Sequence, residues 1–372
     1  MVGDACSVVG RDMSQATLKG RKPVKLGGAT YAGGAVPTID DMGDLGMEKV
    51  RWGFLGAGSI ANRLGEGLMQ VEDAELLAVG SRTADRRQAL AERFDVPRQY
   101  ATYEELVQDP DIDVVYIATP HNLHREHSIL ALEAGKPVLC EKPFAINVAE
   151  AAEIIAVARQ RNLFLMEAMW TRYLPVPREI KRMIDDGVIG QLTMMVGDFG
   201  FRGARSARSR LTEPALGGGA LLDIGMYPVS FAAYLFGGSP TRIETLGHLE
   251  GGIDERSGIL LGYPDGGLAI CYSSIRDNTP QECLLFGSGG EIRMPTPWWL
   301  TDHFHLKVDG EDWCRVEPGL IGKGFAHEVM EVNRCLKAGL LESPDMTWSH
   351  TMGVMTTLDT IRAQWGLRYP ME

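Results

Sequence analysis

From Met47 the chain reads MEKVRWGFLGAGSIANRL, an apolar run that ends in Gly56-x-Gly58-x-x-Ala61 and passes straight into helical text. No other stretch restricts the fold as strongly. In a strand-turn-helix context, the first glycine permits a tight turn and the second lets backbone approach a pyrophosphate, while the small Ala61 allows the helix to pack closely on the strand. The helix N-terminus then faces the phosphates, which makes Gly56, Gly58, Ser59 and Ile60 candidate dinucleotide contacts. Alone, such a turn is common for steric reasons. Its position at the head of an alternating series gives it weight.

The series continues through AELLAVGS, a helix around ADRRQALAERF, a strand within Asp113–Thr119, a helix from about Leu123 to Ala134, KPVLCEKP, a helix over Val148–Arg159 and a strand within Leu163–Met169. Nearly continuous apolar strands alternating with helices require a parallel sheet covered on both faces. After about residue 170 the texture changes. Short strands such as LTMMVGDFGF, GILLGYP and GLAICYSSI, separated by Gly, Pro and Asp, predict an antiparallel sheet closed by helices near Phe325–Ala338 and Trp348–Trp365. The expected fold is α/β: an N-terminal dinucleotide-binding domain over 47–170, and a C-terminal α/β domain over 171–372 with a large open, mostly antiparallel sheet. Residues 1–46 lack apolar periodicity and are expected to be a disordered extension or an arm.

Composition narrows the partners. Across 372 residues, 37 basic against 49 acidic side chains give a formal charge of -12, which repels a phosphate backbone and disfavours nucleic acid. No apolar stretch reads as the roughly 20-residue span of a membrane helix, and the N-terminus does not read as a secretory signal, so a cytoplasmic protein is expected. The cysteines Cys6, Cys140, Cys271, Cys283, Cys314 and Cys335 are scattered without zinc spacing, so reduced thiols and no metal are expected.

Recognition of a ribose 2′-hydroxyl calls for an acidic residue at the end of the second strand. Here the strand ends AVGSRTADRR. Ser81 can bond a 2′-phosphate and Arg82 can pair with it or stack on adenine, with Arg86 in reserve. NADP is expected as cofactor, with NAD as the alternative. In GKPVLCEKPF, Glu141 and Lys142 leave a parallel strand at its C-terminal end, where such sheets bind ligands. Partial desolvation is expected to lower the Lys142 pKa and suit it to acid/base work; the plain alternative is a surface lysine before Pro143. Thr119, Pro120, His121 and Asn122 occupy the corresponding crevice position and are candidate contacts to the nicotinamide ribose, although His121 and His124 can equally decorate a helix start. In MWTRYLP, Trp170, Arg172 and Tyr173 are candidates for the ligand wall, or Trp170 for interdomain core.

ATPHNLHREHSILALEAGKPVLCEKPF, with LFLMEAMWTRYLP, GGGALLDIGMYPV and HEVMEVNRCLKAGLLESP, resembles the Gfo/Idh/MocA oxidoreductase family from Met47 onward, and within it the branch of dihydrodiol and NADP-dependent D-xylose dehydrogenases. The resemblance implies that Lys142 is catalytic and adds Asp223 and Tyr227 from LLDIGMYP. Tyrosine at 227, where inositol dehydrogenase relatives carry histidine, points to the dihydrodiol, xylose and glucose-fructose branches. A tyrosine with an unperturbed pKa of about 10 needs a neighbouring cation to work near neutrality. Tyr227 is therefore expected as the proximal acid/base, Lys142 as its activator and Asp223 as an orienting group, with Lys142 as direct base left open. The implied reaction is hydride transfer between nicotinamide and a hydroxyl-bearing carbon of a cyclic polyol, either an aldose or a trans-dihydrodiol. The alternatives are a glucose-fructose type enzyme with tightly held NADP and a non-enzymatic NADP-sensing regulator. The resemblance also implies a homodimer through the open sheet, with a tetramer second.

Overall fold

The computed structural model describes residues 49–203 and 210–372; the extension expected over 1–46 lies outside them. The first sheet is built from β1 (Val50–Leu55), α1 (Ser59–Leu68), β2 (Ala74–Gly80), α2 (Ala84–Phe94), β3 (Arg98–Tyr100), α3 (Tyr103–Val107), β4 (Val114–Ile117), α4 (His124–Glu133), β5 (Val138–Glu141), α5 (Val148–Arg161) and β6 (Leu165–Ala168). All strand pairs are parallel, in the order β3-β2-β1-β4-β5-β6. Every side chain of β4, and Val138 to Cys140 of β5, is fully buried, which explains the uninterrupted apolar text. The strand order reverses between β1 and β4, so the loops after them diverge and open a crevice there.

The second sheet follows α6 (Pro175–Asp185) and comprises β7 (Leu192–Gly200), then, after α7 (Met226–Phe236), β8 (Arg242–Glu250), β9 (Ile253–Gly262), β10 (Leu268–Ser274), β11 (Cys283–Gly287), β12 (Gly290–Met294), β13 (Phe304–Val308) and β14 (Cys314–Val316). Its order is β14-β13-β12-β11-β7-β10-β9-β8, antiparallel throughout except where β10 runs parallel to β7. The segment Pro214–Phe236 has the length and apolarity to cross a membrane, and here 89% of its most apolar window is buried in the protein core. On β9 and β10, Ile259, Leu261, Ala269 and Cys271 face inward, and α7 packs against β7 and β10. Met194, Val196, Leu260, Leu268, Ile270 and Leu284 alternate to the opposite face. Among the described residues nothing covers this strip, and Leu246 beside it is 83% exposed.

The chain ends by returning to the first sheet. α8 (Phe325–Lys337) packs on α1, and α9 (Trp348–Trp365) on α5, α7 and β8. Asn333 accepts from the Trp52 indole at 3.2 Å and donates to the Asp73 carbonyl at 3.0 Å, while Lys337 pairs with the Asp73 carboxylate at 2.8 Å.

Candidate active site

A cleft of about 710 Å³ lies along the crevice, between the C-terminal ends of the first sheet's strands and α7 with the second sheet. Its phosphate end is made by the β1–α1 turn. Gly56 has a φ of +116°, and a Cβ there would sit 2.7 Å from the Ala118 carbonyl oxygen, so only glycine fits. Gly58 opens onto free space and caps α1 without a side-chain partner, leaving a cradle of backbone at a helix N-terminus. A dinucleotide's pyrophosphate fits that cradle. Ser59 and Ile60 line it, and beyond them stand Ser81, Arg82, Thr83, Arg86 and Arg63. The Arg82 guanidinium lies 5.8 Å from the centre of the Tyr103 ring.

The other end holds the chemistry. Leu221–Gly225 form a π-helical turn running directly into α7, which carries Asp223 and Tyr227 toward the end of β5. Lys142 donates to the Asp223 backbone carbonyl at 2.7 Å, stands 3.5 Å from Asp223 Oδ1, and lies 4.9 Å from the centre of the Tyr227 ring. The Trp170 indole donates to the Tyr227 hydroxyl at 2.9 Å. Thus Lys142, Asp223 and Tyr227, drawn from two separated motifs, meet in one place.

Charge here is set by competition. Burial pushes Lys142 down, but the facing Tyr227 and Asp223 push it further up, so its pKa stands above the ordinary lysine value. This corrects the expectation of a lowered lysine: the partners outweigh desolvation. Burial raises Tyr227, and although Lys142 and the Trp170 bond pull it down, the net remains above the ordinary phenol. Burial also opposes ionisation of Asp223, yet Lys142 and Arg210 hold it well below the usual carboxylate range. At neutral pH the resting groups are an ammonium, a carboxylate and a neutral phenol.

Thr119, Pro120, His121, Glu141 and Trp170 all line the cleft. Glu141 accepts from the Tyr116 hydroxyl behind Lys142, and burial raises its pKa. His121 Nε2 lies 3.0 Å from Arg210 Nη1; burial and then Arg210 push its pKa well down. Arginine can only donate, so the neutral ring accepts at Nε2 and carries its proton on Nδ1. His124 is a clamp. Its ring nitrogens lie 2.8 Å from the Pro143 carbonyl oxygen and 2.9 Å from that of Thr119, between the loops after β5 and β4; burial lowers its pKa to about 4, so the neutral ring donates to one of the two.

Two expected contacts fall elsewhere. Arg172 is not on the cleft: it is buried on the far side of the short turn Trp170–Tyr173, 4.5 Å from the centre of the Tyr234 ring, and donates to the Asp345 carbonyl at 2.8 Å. One turn cannot aim both Trp170 and Arg172 into the same space. Asn122, one position past His121 on the same 3-10 turn, likewise lies outside the lining. Tyr173 is buried against Met166, its hydroxyl 3.0 Å from the sulfur. Conversely, Arg210, Phe199, Phe201, Trp299 and Phe325 line the cleft without belonging to any motif read from the sequence. Phe199 stacks on Trp299, and Phe325 stacks on Trp170 with ring centres 4.7 Å apart. The alternation of Phe199 and Phe201 at a strand end was the one visible hint.

Residues 50–169 match the oxidoreductase family model with an NAD-binding Rossmann fold, and residues 178–293 match the GFO/IDH/MocA C-terminal domain. The chain is 35% identical over 329 residues to the trans-1,2-dihydrobenzene-1,2-diol dehydrogenase of Xenopus tropicalis, covering 86% of this chain and 99% of that one. It is 33% identical over 335 residues to the Homo sapiens protein of the same name, covering 87% and 99%. Among solved structures it is similar to an aldose-aldose oxidoreductase from Caulobacter crescentus complexed with glycerol, at a TM-score of 0.79 and 25% identity over 86% of this chain and 98% of that one. A 3-ketoreductase from Actinomadura kijaniata, in complex with NADP and TDP-benzene, superposes with a TM-score of 0.75 at 27% identity over 85% and 97%. With a nicotinamide-binding first domain and named dehydrogenases among its relatives, the chain belongs to the Gfo/Idh/MocA oxidoreductase family.

Proposed function

We propose that this protein is an NADP-dependent dehydrogenase that reversibly oxidises a hydroxyl-bearing carbon of a cyclic polyol, either a trans-dihydrodiol or an aldose such as D-xylose. The observation that carries this reading is the convergence of the Tyr227 hydroxyl, the Lys142 ammonium and the Asp223 carboxylate at the end of a dinucleotide cleft. The relatives named as trans-dihydrodiol dehydrogenases support the substrate class. A nicotinamide ring, when bound, supplies the hydride acceptor. Gly58, Ser59 and Ile60 hold the pyrophosphate, Ser81, Arg82, Arg86 and Arg63 the 2′-phosphate, and Thr119, Pro120, His121, Glu141 and Trp170 border the nicotinamide end.

Tyr227 takes the hydroxyl proton as the carbinol carbon loses hydride, and returns it in the reverse direction. The Trp170 N–H occupies one lone pair of the phenol oxygen and fixes its direction toward the cleft. Lys142 favours the phenolate that forms, and Asp223 anchors Lys142 through its backbone carbonyl. Because Tyr227 rests protonated, reduction starts from a ready acid, whereas oxidation accelerates as pH rises toward the raised phenol pKa. Phe199, Phe201 and Trp299 offer apolar faces to a ring-shaped substrate.

The test is absorbance at about 340 nm during oxidation with NADP or NAD, against trans-1,2-dihydrobenzene-1,2-diol, D-xylose, D-glucose and myo-inositol at mildly alkaline pH. Turnover of the diol or xylose with NADP is expected, and Arg82→Ala is expected to raise the KM for NADP by about tenfold without affecting NAD. Equal use of both cofactors by the intact protein would overturn the NADP assignment; no turnover alongside tight NADPH binding would favour a sensor. The uncovered apolar strip on β7, β9, β10 and β11 supports a homodimer through that face.

A further inference from the structure

Arg210 precedes the Gly217–Gly219 run and lies outside the sequence motifs quoted above, yet it stands at the centre of the charged cluster. Its Nη1 lies 2.8 Å from Asp223 Oδ1 and 3.0 Å from His121 Nε2. Lys142 reaches the same Oδ1 only at 3.5 Å, and spends its short bond on the Asp223 backbone carbonyl instead. One carboxylate oxygen is thus contested by two cations, and the guanidinium holds it more closely. Had Asp223 paired tightly with Lys142, the ammonium would be neutralised in place. As built, Lys142 keeps a looser approach to that carboxylate, and its ammonium lies 4.9 Å from the centre of the Tyr227 ring.

We propose that Arg210 is a positioning residue for hydride transfer: it engages the Asp223 carboxylate, and His121 holds it there, so that the Lys142 charge acts on Tyr227 rather than being quenched by Asp223. This rests on the acid/base role given to Tyr227 above. The electrostatics of the pocket run the same way. Besides burial, Lys142 and the Trp170 bond lower Tyr227, Glu141 and then Asp223 raise it, and Arg210 lowers both Asp223 and Lys142. The contact Arg210 makes in this cluster is with Asp223 and His121, so the proposal places its influence on Tyr227 through Asp223. His121 presents a neutral acceptor to the guanidinium, which costs Arg210 none of its charge.

The experiment reads ionisation of Tyr227 without needing a substrate. Protein labelled with 13Cζ-tyrosine is titrated by NMR, the Tyr227 signal being assigned from its loss in Tyr227→Phe. In Arg210→Met the Tyr227 midpoint is expected to rise by about one pH unit, as removal of a unit charge at this range would give, with Arg210→Lys lying between it and wild type. In parallel, oxidation of trans-1,2-dihydrobenzene-1,2-diol with NADP by Arg210→Met is expected to fall about tenfold near pH 8 and to converge on wild type at alkaline pH, with the KM for NADP unchanged. An unmoved Tyr227 midpoint, or a rate loss of equal size at every pH, would overturn the proposal and make Arg210 a plain substrate contact. Full turnover by Tyr227→Phe would instead sink the acid/base reading, and the titration would still judge Arg210 by itself.

Discussion

Lys142 anchors to a backbone carbonyl while leaving its charge directed at a phenol, and this division explains why a neutral side chain of similar length cannot replace it. Lys142→Met is expected to lower kcat by about a thousandfold or more while NADPH binding, followed by fluorescence, changes little; retained turnover would remove Lys142 from the mechanism. Beneath it, Asp254 holds the turn that carries Asp223: Oδ2 accepts from Leu221 N at 2.7 Å, Oδ1 has no partner, and burial lifts its pKa to about 7. The unfolded carboxyl titrates near an ordinary value of about 4, so the native state keeps a proton that the unfolded chain releases. The resulting stabilisation is complete below that value and is lost as pH rises through about 7. Asp254→Asn is therefore expected to gain melting temperature relative to wild type progressively from pH 4 to 7, by roughly 5–10 °C, with no further gain above; a constant offset would refute the buried-acid account. At this scale the sequence disclosed those residues that sit in contiguous motifs, Gly56, Lys142, Asp223 and Tyr227. It hid Arg210, Phe199 and Trp299, which reach the cleft only because distant strand ends converge. Arg172 misled because adjacency to Trp170 says nothing about direction on a tight turn.

Among the elements, alternation was legible wherever a strand had one wet face, as in β10, and apolar continuity wherever it had none, as in β4. α7 escaped notice because all but Tyr234 and Phe236 of its side chains are buried, which removes the amphipathic period on which helix reading depends. α6 was missed behind Pro175, which reads as a breaker but sits in the first turn, where no amide donor is needed. The edge strands β3 and β14, with 3 residues each, are too short for any period. α1 and α8 cross closely beside the site. A Cβ on Gly67 would lie 2.7 Å from the Ala326 backbone nitrogen and from the Phe325 Cβ. Gly67→Ala is expected to force the helices apart at a cost of about 1–3 kcal/mol, measured by chemical denaturation. Because Phe325 stacks on Trp170, it should also raise the KM for substrate; a variant as stable as wild type would show that the crossing can yield.

At the scale of the molecule, the second sheet presents an apolar strip that nothing covers among the described residues. Leu260→Glu combined with Ile270→Glu is expected to convert a dimer into a monomer in sedimentation velocity while the fold, followed by circular dichroism, persists; an unchanged assembly would place the interface elsewhere. The opposite end of the chain matters in a different way. Trp52 is fully buried in β1, and its indole N–H is satisfied by Asn333 on α8, so the first strand of the fold waits for a partner near the end. During synthesis the ribosome releases that strand long before α8 emerges. Until then the dinucleotide domain lacks both the cover over α1 and the Phe325 wall of its cleft. The cleft is thus expected to be complete only once α8 has been made, and nascent chains truncated before α8 are expected to remain clients of chaperones.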